Sequence, residues 1–160
     1  MKLSRLLDGC DIITASGTQT VPDADIEITA LTTDSRSARR ASLFVCISGA
    51  RSDGHDFAAS AYESGCRCFL AERPLDLAKD ASVTVVSSTR RALAVIAQRF
   101  YGEPAASLRL IGITGTKGKS TTAELIRSGL EAAGRRTGII GTCGIGYGGC
   151  LRPSANTTPD

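Results

Sequence analysis

The residues whose types best suit chemistry form one glycine-rich stretch, GITGTKGKSTT, at positions 112–122. An apolar run, LRLIGIT, occupies 108–114, and a helical pattern follows the stretch. A turn between a strand and a helix directs its backbone N–H groups and the positive end of the helix dipole toward one place, where a phosphate can bind. The stretch is therefore predicted to be a phosphate-binding loop.

The side chains of this loop suit the same chemistry. Lys119 can bring a mobile positive charge to the β- and γ-phosphates of a nucleotide, and the Ser120 hydroxyl can bind Mg²⁺. Gly115 and Gly118 allow a close approach of backbone to phosphate because they have no Cβ. Since Gly115 stands only three positions before Gly118, the loop is a shortened form, G-x-x-G-K-S, of the common phosphate loop. A plain glycine-rich turn without a ligand is the alternative interpretation.

Strands and helices that must position this loop alternate along the chain. Short runs rich in β-branched, aromatic or other apolar residues predict strands at 28–33, 43–47, 66–71, 83–87, 108–114 and 137–142. Apolar residues at helical spacing predict three helices, which stop at Gly65, Gly102 and Gly134. Strands that alternate with helices predict an α/β fold with a mainly parallel sheet. GEPAAS at 102–107 is predicted to be a linker between two domains.

Composition narrows the class of protein. The 160 residues are 42% hydrophobic and 22% charged with a net charge of +3, and the charges are scattered, so a nucleic-acid surface built on a basic stripe is not expected. Only 4% of the residues are aromatic, which leaves little material for base stacking. No apolar run approaches the roughly 18–20 residues that span a bilayer. Asp8 and Asp11 interrupt a possible signal peptide, so the expected location is the cytoplasm without membrane insertion.

Six cysteines lack the spacing of a metal site, and His55 is the only histidine. They are predicted to be reduced structural residues, as in a reducing cytosol. Alternation along the strand at 66–71 predicts that Cys66 and Cys68 share one face of that strand. His55 is predicted to be a local hydrogen-bond partner, and Asp34 and Arg36 are predicted to pair and fix a turn.

Several motifs together resemble one family. TGTKGKSTT closely resembles the ATP loop of the Mur ligases and of their relatives, the folylpolyglutamate synthases. The stretch TTDSRSARRASLFVCISGARSDGHDF is similar to a signature of two Mur ligases, those that add the third amino acid and the terminal dipeptide. TRRALAVIAQRFYGEPAASLRLIGITGT and the final NTTPD resemble the third-residue ligase specifically. The resemblance runs from about Ile28 to Asp160, and the motifs follow in the family's order.

The resemblance implies a cytoplasmic step of peptidoglycan synthesis, with ATP and Mg²⁺ as cofactors. In that step ATP phosphorylates the free carboxylate of D-Glu in UDP-MurNAc-L-Ala-D-Glu. The amine of an incoming amino acid then attacks the acyl phosphate, which gives an amide, ADP and phosphate. Phosphorylation is needed because a carboxylate is a poor acyl donor, and catalysis is then mostly positioning and neutralisation of phosphate charge.

The resemblance also implies a domain order and a set of site residues. It makes 1–103 a mixed or parallel α/β domain that binds UDP-MurNAc, and 108–160 the start (strand, phosphate loop, helix, strand) of an ATP-binding central domain of the P-loop ATPase type. Lys119 becomes the catalytic residue and Ser120 the Mg²⁺ ligand. The implied ATP-binding residues are Gly115, Thr116, Lys117, Gly118, Lys119, Ser120 and Thr121. The implied UDP-MurNAc-binding residues are Thr33, Ser35, Ala50, Arg51, Ser52, Asn156, Thr157 and Thr158.

Some alternatives stay open at this point. Lys117 stands where most members of the family have Asn, so it either touches a phosphate or points to solvent. The chain could belong to another ligase of the superfamily, such as the dipeptide-adding Mur ligase or a folylpolyglutamate synthase, or be a stand-alone nucleotide-sugar-binding module. Family members are much longer, so this chain is expected to be an N-terminal part that is inactive without the rest of its ligase. Which amino acid is added, lysine, meso-diaminopimelate or another amine, is not determined by these residues.

Overall fold

The helices and strands of the computed structural model lie in two units of the chain, Met1–Leu108 and Arg109–Asp160. The structure describes residues 1–13, 26–49 and 52–153. The first unit contains α1 (Leu3–Leu7), β1 (Ala30–Thr32), β2 (Ser42–Val45), α2 (Ala58–Glu63), β3 (Cys68–Ala71), β4 (Ser82–Val85) and α3 (Thr89–Phe100). The second unit contains α4 (Lys119–Ala132), β5 (Gly138–Gly141), β6 (Gly144–Tyr147) and β7 (Cys150–Arg152). The substrate-binding and ATP-binding roles expected for the two parts of the chain stay predictions.

The sheet of the first unit is parallel throughout, with the strand order β1-β2-β3-β4. Side chains that alternate along its central strands enter two separate cores. Leu43 and Leu70 pack with residues of α1 and α3 on one face, whereas Phe44 and Phe69 pack with alanines of α2 on the other. A sheet covered on both faces explains why its strands are nearly continuous apolar runs. The predicted α/β class is confirmed.

The carboxyl ends of these strands matter for function because all four lie at the same edge of the sheet. In open α/β sheets, ligands bind in the crevice outside this edge. The segments that begin at Thr33, Cys46, Glu72 and Val86 all leave the sheet there. Residues distant in sequence can therefore come together at this edge.

The second unit departs from the predicted strand-loop-helix-strand order. Helix α4 and strand β5 form where expected, but β5 pairs with β6 and β6 with β7 in an antiparallel sheet. Gly148 and Gly149, both with positive φ, make the tight turn between β6 and β7. Two glycines between short strands are a recognised hairpin signal, which the sequence interpretation missed.

The predicted buried strand at 108–114 is wrong. The backbone there forms no strand, and the side chains of Leu108, Leu110 and Ile111 are 60%, 74% and 59% exposed. A strand that is apolar on both faces needs neighbouring strands along its edges and layers above and below. Among the described residues of the second unit, the three strands pair with one another and none of them flanks this segment. The apolar face of α4 is likewise only half covered, and none of its residues is buried.

The cysteines are free thiols. Burial raises the pKa of Cys46 to about 12 and that of Cys68 to about 11, so these thiols stay protonated and unreactive, as predicted for structural residues. The prediction that Cys66 and Cys68 share a face is wrong, because β3 begins only at Cys68 and the alternation does not extend back to Cys66. Cys66 packs in the α2 core and donates to the Ser42 carbonyl at 3.3 Å, whereas Cys68 packs in the other core.

Among the described residues, 1–13, 26–49 and 52–153, no helix is long and apolar enough to span a bilayer.

Candidate functional site

The predicted phosphate loop lies directly before α4. Gly118 is the N-cap residue of α4 and adopts a φ of 77°, a left-handed conformation that favours glycine. No side chain caps the helix and no acidic residue lies in its first turn. The first backbone N–H groups of α4 have no partner within the helix, and the positive end of the dipole is uncompensated. This helix start therefore suits a phosphate, which supplies both acceptors and negative charge.

Lys119 folds back over the loop. Its Nζ donates to the Gly115 carbonyl at 2.7 Å, which places the ammonium group against the backbone of the turn. An ammonium has three donors, so this bond leaves two for an anion. The geometry is that of a positive charge held beside the loop by a hydrogen bond while the side chain stays exposed.

Ser120 lies close to a residue that the sequence interpretation did not select. Its Oγ is 3.2 Å from the Oγ1 of Thr142, which follows β5. The hydroxyl pair joins the first turn of α4 to the end of the next strand. Hydroxyl oxygens are hard ligands that suit Mg²⁺, which in nucleotide sites keeps several waters and takes other ligands from the phosphates. The position of Thr142 at the end of a predicted strand was the available signal.

The remaining loop residues are close to these groups. Thr116, Lys117 and Thr121 have exposed side chains in the loop and the first turn of α4. All seven residues predicted to bind ATP thus occupy one continuous exposed surface of the second unit. Their roles in binding stay predictions, including the open choice for Lys117.

In the first unit, the residues after β1 form a fixed turn. Asp34 caps the short 3-10 turn Ser35–Ser37 and accepts from the Arg36 backbone N–H at 3.0 Å. The Arg36 guanidinium also binds both carboxylate oxygens of Asp34, and this side-chain bond is the main reason that the pKa of Asp34 falls to about 2. The predicted pairing of these two residues is confirmed. Thr33 and Ser35, half-buried beside the pair, are thereby held at the carboxyl edge of the sheet.

The segment after β2 reaches the same edge and turns back on itself. Ser48 and Asp53 form an antiparallel bridge, and the Gly49 N–H donates to the Ser52 carbonyl at 2.9 Å. The Gly54 N–H donates to the Ile47 carbonyl at 2.9 Å. Of the predicted substrate residues, Ser52 lies in this turn with an exposed side chain. Ala50, Arg51, Asn156, Thr157 and Thr158 lie outside the described residues, so the structure does not place them.

A polar cluster next to this turn was only partly foreseen. His55 is buried and hydrogen-bonded to Asp53 and to the backbone of Glu72, which confirms its predicted role as a local partner. His55, through its side chain and then its backbone N–H, and Arg73 hold the pKa of Asp53 well below its usual range. Glu72 and Arg73 come from the end of β3, and sequence spacing gave no signal that they would reach this turn.

Comparison with known protein families fits these two units. A family model described as "Mur ligase family, catalytic domain" matches residues 27–101, and one described as "Mur ligase middle domain" matches residues 113–160. The chain belongs to the Mur ligase family. The expectation drawn from the motifs is confirmed, and the phosphate loop lies within the part that matches the middle domain.

Curated Mur ligases resemble the chain over most of its length. The UDP-N-acetylmuramoyl-L-alanyl-D-glutamate--2,6-diaminopimelate ligase of Bacillus velezensis is 47% identical over 136 residues, which are 85% of this chain and 27% of that protein. The protein of the same name from Syntrophomonas wolfei is 42% identical over 160 residues, which are 100% of this chain and 32% of that protein. The chain therefore spans less than a third of the length of these relatives.

Solved Mur ligase structures resemble the fold. Crystal structure I of MurF from Acinetobacter baumannii matches with a TM-score of 0.53 and 34% identity, over 71% of this chain and 24% of the MurF chain. MurF ligase from Thermotoga maritima in complex with ADP matches with a TM-score of 0.50 and 30% identity, over 67% of this chain and 24% of the MurF chain. These likenesses agree with the α/β assignment.

Proposed function

We propose that this Mur ligase chain carries the nucleotide-sugar contacts and the ATP phosphate loop of a ligase that adds the third amino acid to UDP-MurNAc-L-Ala-D-Glu. The identity to third-residue ligases, 42% over 160 residues for the Syntrophomonas wolfei protein, supports this choice. Those relatives are named for 2,6-diaminopimelate, which is the proposed third residue. The reaction belongs to cytoplasmic peptidoglycan synthesis and hence to cell-wall growth and division.

In the proposed reaction, a carboxylate oxygen of D-Glu attacks the γ-phosphorus of ATP and ADP leaves. The amine of the third residue then attacks the acyl carbon, phosphate leaves with its bonding electron pair, and the amine loses a proton. Both steps concentrate negative charge on phosphate oxygens. Charge neutralisation by fixed donors is therefore the main task of the protein at this point.

The observation that carries the proposal is the uncapped start of α4 with the Lys119 ammonium beside it. Gly115, Thr116, Lys117, Gly118 and Thr121 would offer backbone N–H groups and hydroxyls to the phosphates. The Lys119 Nζ, held 2.7 Å from the Gly115 carbonyl, would supply positive charge at the transferred phosphate. Mg²⁺, when bound, would be held by Ser120 and would neutralise phosphate charge.

The proposed nucleotide-sugar site occupies the carboxyl edge of the parallel sheet. Thr33 and Ser35 after β1, with Ser52 in the turn after β2, would provide hydroxyl and backbone partners for uracil and diphosphate. Ala50, Arg51, Asn156, Thr157 and Thr158 are proposed as further contacts on the family resemblance alone. Directional polar partners suit this ligand better than apolar walls.

Titration calorimetry with ADP and Mg²⁺ tests the loop. Lys119→Ala removes a charge-assisted bond worth about 1.5–3 kcal/mol, so its Kd should rise at least roughly tenfold. Arg136→Ala removes one positive charge from an exposed position of the same unit and is the matched control, with a Kd expected within about twofold of wild type. Equal affinities for wild type and Lys119→Ala would contradict the proposed role.

A second candidate is the dipeptide-adding ligase, which the MurF structures favour. Its nucleotide-sugar substrate carries a tripeptide, so competition between the UDP-MurNAc dipeptide and tripeptide for this chain separates the two candidates. Preference for the dipeptide is expected, and preference for the tripeptide would favour the second candidate.

A further inference from the structure

His55 is the single histidine of the chain and lies in the 3-10 turn Gly54–Phe57, which follows the turn after β2. Its side chain is 1% exposed. Buried imidazoles need partners for both ring nitrogens, and His55 has one for each. A group so enclosed cannot exchange a proton with a bound substrate, so its role must be sought in what it holds together.

The two hydrogen bonds of the ring determine where its proton lies. The Glu72 backbone N–H donates to Nε2 at 2.9 Å. An amide N–H can only donate, so Nε2 must be unprotonated and the ring proton must be on Nδ1. Nδ1 in turn is 2.5 Å from the Asp53 carboxylate, which accepts that proton's hydrogen bond.

Asp53 connects this imidazole to the turn after β2. The same carboxylate oxygen accepts from the Ser48 hydroxyl at 3.0 Å, and its other oxygen accepts from Arg73 Nη1 at 2.8 Å. Ser48 and Asp53 also form the backbone bridge that closes the turn. The start and the end of the turn are therefore tied to one carboxylate.

Glu72 continues the connection to α3. Its carboxylate accepts from the Thr89 backbone N–H at 2.8 Å and from the Thr89 hydroxyl at 3.0 Å. The next residue, Arg90, donates through Nη2 to the Ser48 carbonyl at 3.0 Å. The bonds thus form a closed ring that runs from the turn after β2 through His55 to the end of β3, then to α3 and back to the turn.

We propose that His55, as a neutral imidazole with its proton on Nδ1, is a positioning residue that holds Ser48 and Asp53, the two ends of the turn after β2, at the carboxyl edge of the sheet for nucleotide-sugar binding. This inference rests on the proposed function. Two observations support the inference together. The ring of hydrogen bonds fixes both ends of the turn, and Ser52, a predicted substrate contact, lies in that turn. Neighbouring strands and α3 thereby set the position of the turn's described residues, Ser48, Gly49, Ser52 and Asp53, none of which is buried.

The tautomer of the His55 imidazole gives a test that needs no ligand. A ¹⁵N NMR spectrum of the histidine-labelled chain contains a single imidazole, so its two nitrogens can be assigned directly. A protonated Nδ1 and an unprotonated Nε2 are expected at neutral pH. A proton on Nε2, or signals averaged between the two tautomers, would overturn the inference.

Variants test whether this closed ring of hydrogen bonds positions the turn after β2. His55→Gln replaces the imidazole, and Asp53→Asn replaces a charged carboxylate by an amide with one acceptor oxygen, so each weakens the ring of hydrogen bonds. Asp80→Asn is the matched control because Asp80 also accepts from an arginine, Arg67, but at the amino ends of the strands. Amide exchange at Gly49 and Glu72 should accelerate at least roughly tenfold in the first two variants and stay unchanged in Asp80→Asn. Unchanged exchange in His55→Gln would overturn the inference.

Binding of UDP-MurNAc-L-Ala-D-Glu completes the test, at a temperature where circular dichroism shows all variants folded. His55→Gln and Asp53→Asn should bind at least roughly fivefold more weakly than wild type, and Asp80→Asn within about twofold. Equal affinity in folded His55→Gln would overturn the positioning role. Absence of binding by wild type would contradict the proposed function, and amide exchange would then decide separately whether the ring fixes the turn.

Discussion

Gly54 makes the closest backbone approach at the turn after β2, and substitution by alanine tests that turn directly. A Cβ added there would lie 2.5 Å from the Ile47 nitrogen, 2.8 Å from the Ile47 oxygen and 3.1 Å from the Cys46 carbonyl carbon. All three atoms belong to the backbone, so no side-chain rotation relieves the contact. The segment after β2 must move away from the turn to accommodate one methyl group.

The expected cost follows from two contributions. Overpacking of a well-packed region costs about 1–3 kcal/mol. The shift also weakens the hydrogen bond from the Gly54 N–H to the Ile47 carbonyl, 2.9 Å long in the wild type, which is worth about 1 kcal/mol. Gly54→Ala should therefore lower the free energy of unfolding of the first unit by about 2–4 kcal/mol.

Urea unfolding followed through the amide NMR signals of β2 and β3 measures this cost in the first unit. Gly102→Ala gives a comparison of a different kind, because Gly102 has a φ of 76° and nothing within 4 Å of an added Cβ, so it reports backbone strain of about 1–2 kcal/mol that Gly54 does not have. A change of less than about 0.5 kcal/mol in Gly54→Ala would refute the close-approach argument.

Three further outcomes are expected. Gly129 lies at an exposed position in the interior of α4, and nothing lies within 4 Å of a methyl group added there. Gly129→Ala should therefore stabilise α4 by about 0.5–1 kcal/mol, measured as slower amide exchange. Faster amide exchange would contradict this prediction. Ile96→Ala should lower the free energy of unfolding in urea by about 2–5 kcal/mol, because Ile96 is fully buried. Val95 is partly exposed, so Val95→Ala should lower it far less. Equal losses would contradict the assigned core. Asp53 has a lowered pKa in the folded state, so its contribution to stability is complete above its unfolded pKa of about 3.9 and is lost as pH falls below that value. Asp53→Asn should flatten the loss of stability between about pH 4 and pH 2, and an unchanged pH dependence would argue against the pairing.

Local pattern was sufficient for much of the fold. The runs at 28–33, 43–47, 66–71 and 83–87 each overlap one strand of the parallel sheet, because a strand buried on both faces must be apolar along its length; β2 and β4 begin one residue before their runs, at Ser42 and Ser82. The Asp34–Arg36 turn was also predictable, since its partners are only two residues apart.

Pattern failed where structure depends on distant partners. The run at 108–114 has the composition of a buried strand, but no strand among the described residues of its unit lies beside it to complete the ladder. The ring around His55 joins residues 17 and 42 positions apart, for which spacing in sequence carries no signal. Thr142 reaches Ser120 only because β5 returns to the start of α4.

Binding of UDP-MurNAc-L-Ala-D-Glu by this chain tests the central claim most directly, since a phosphate loop alone occurs in many protein families. Titration calorimetry should give saturable binding that UDP competes away. Ser35→Ala should weaken it by about threefold to tenfold through the loss of one hydrogen bond, and Ser64→Ala, at the end of α2, should not change it. Absence of saturable binding by the wild-type chain at millimolar ligand would contradict the account.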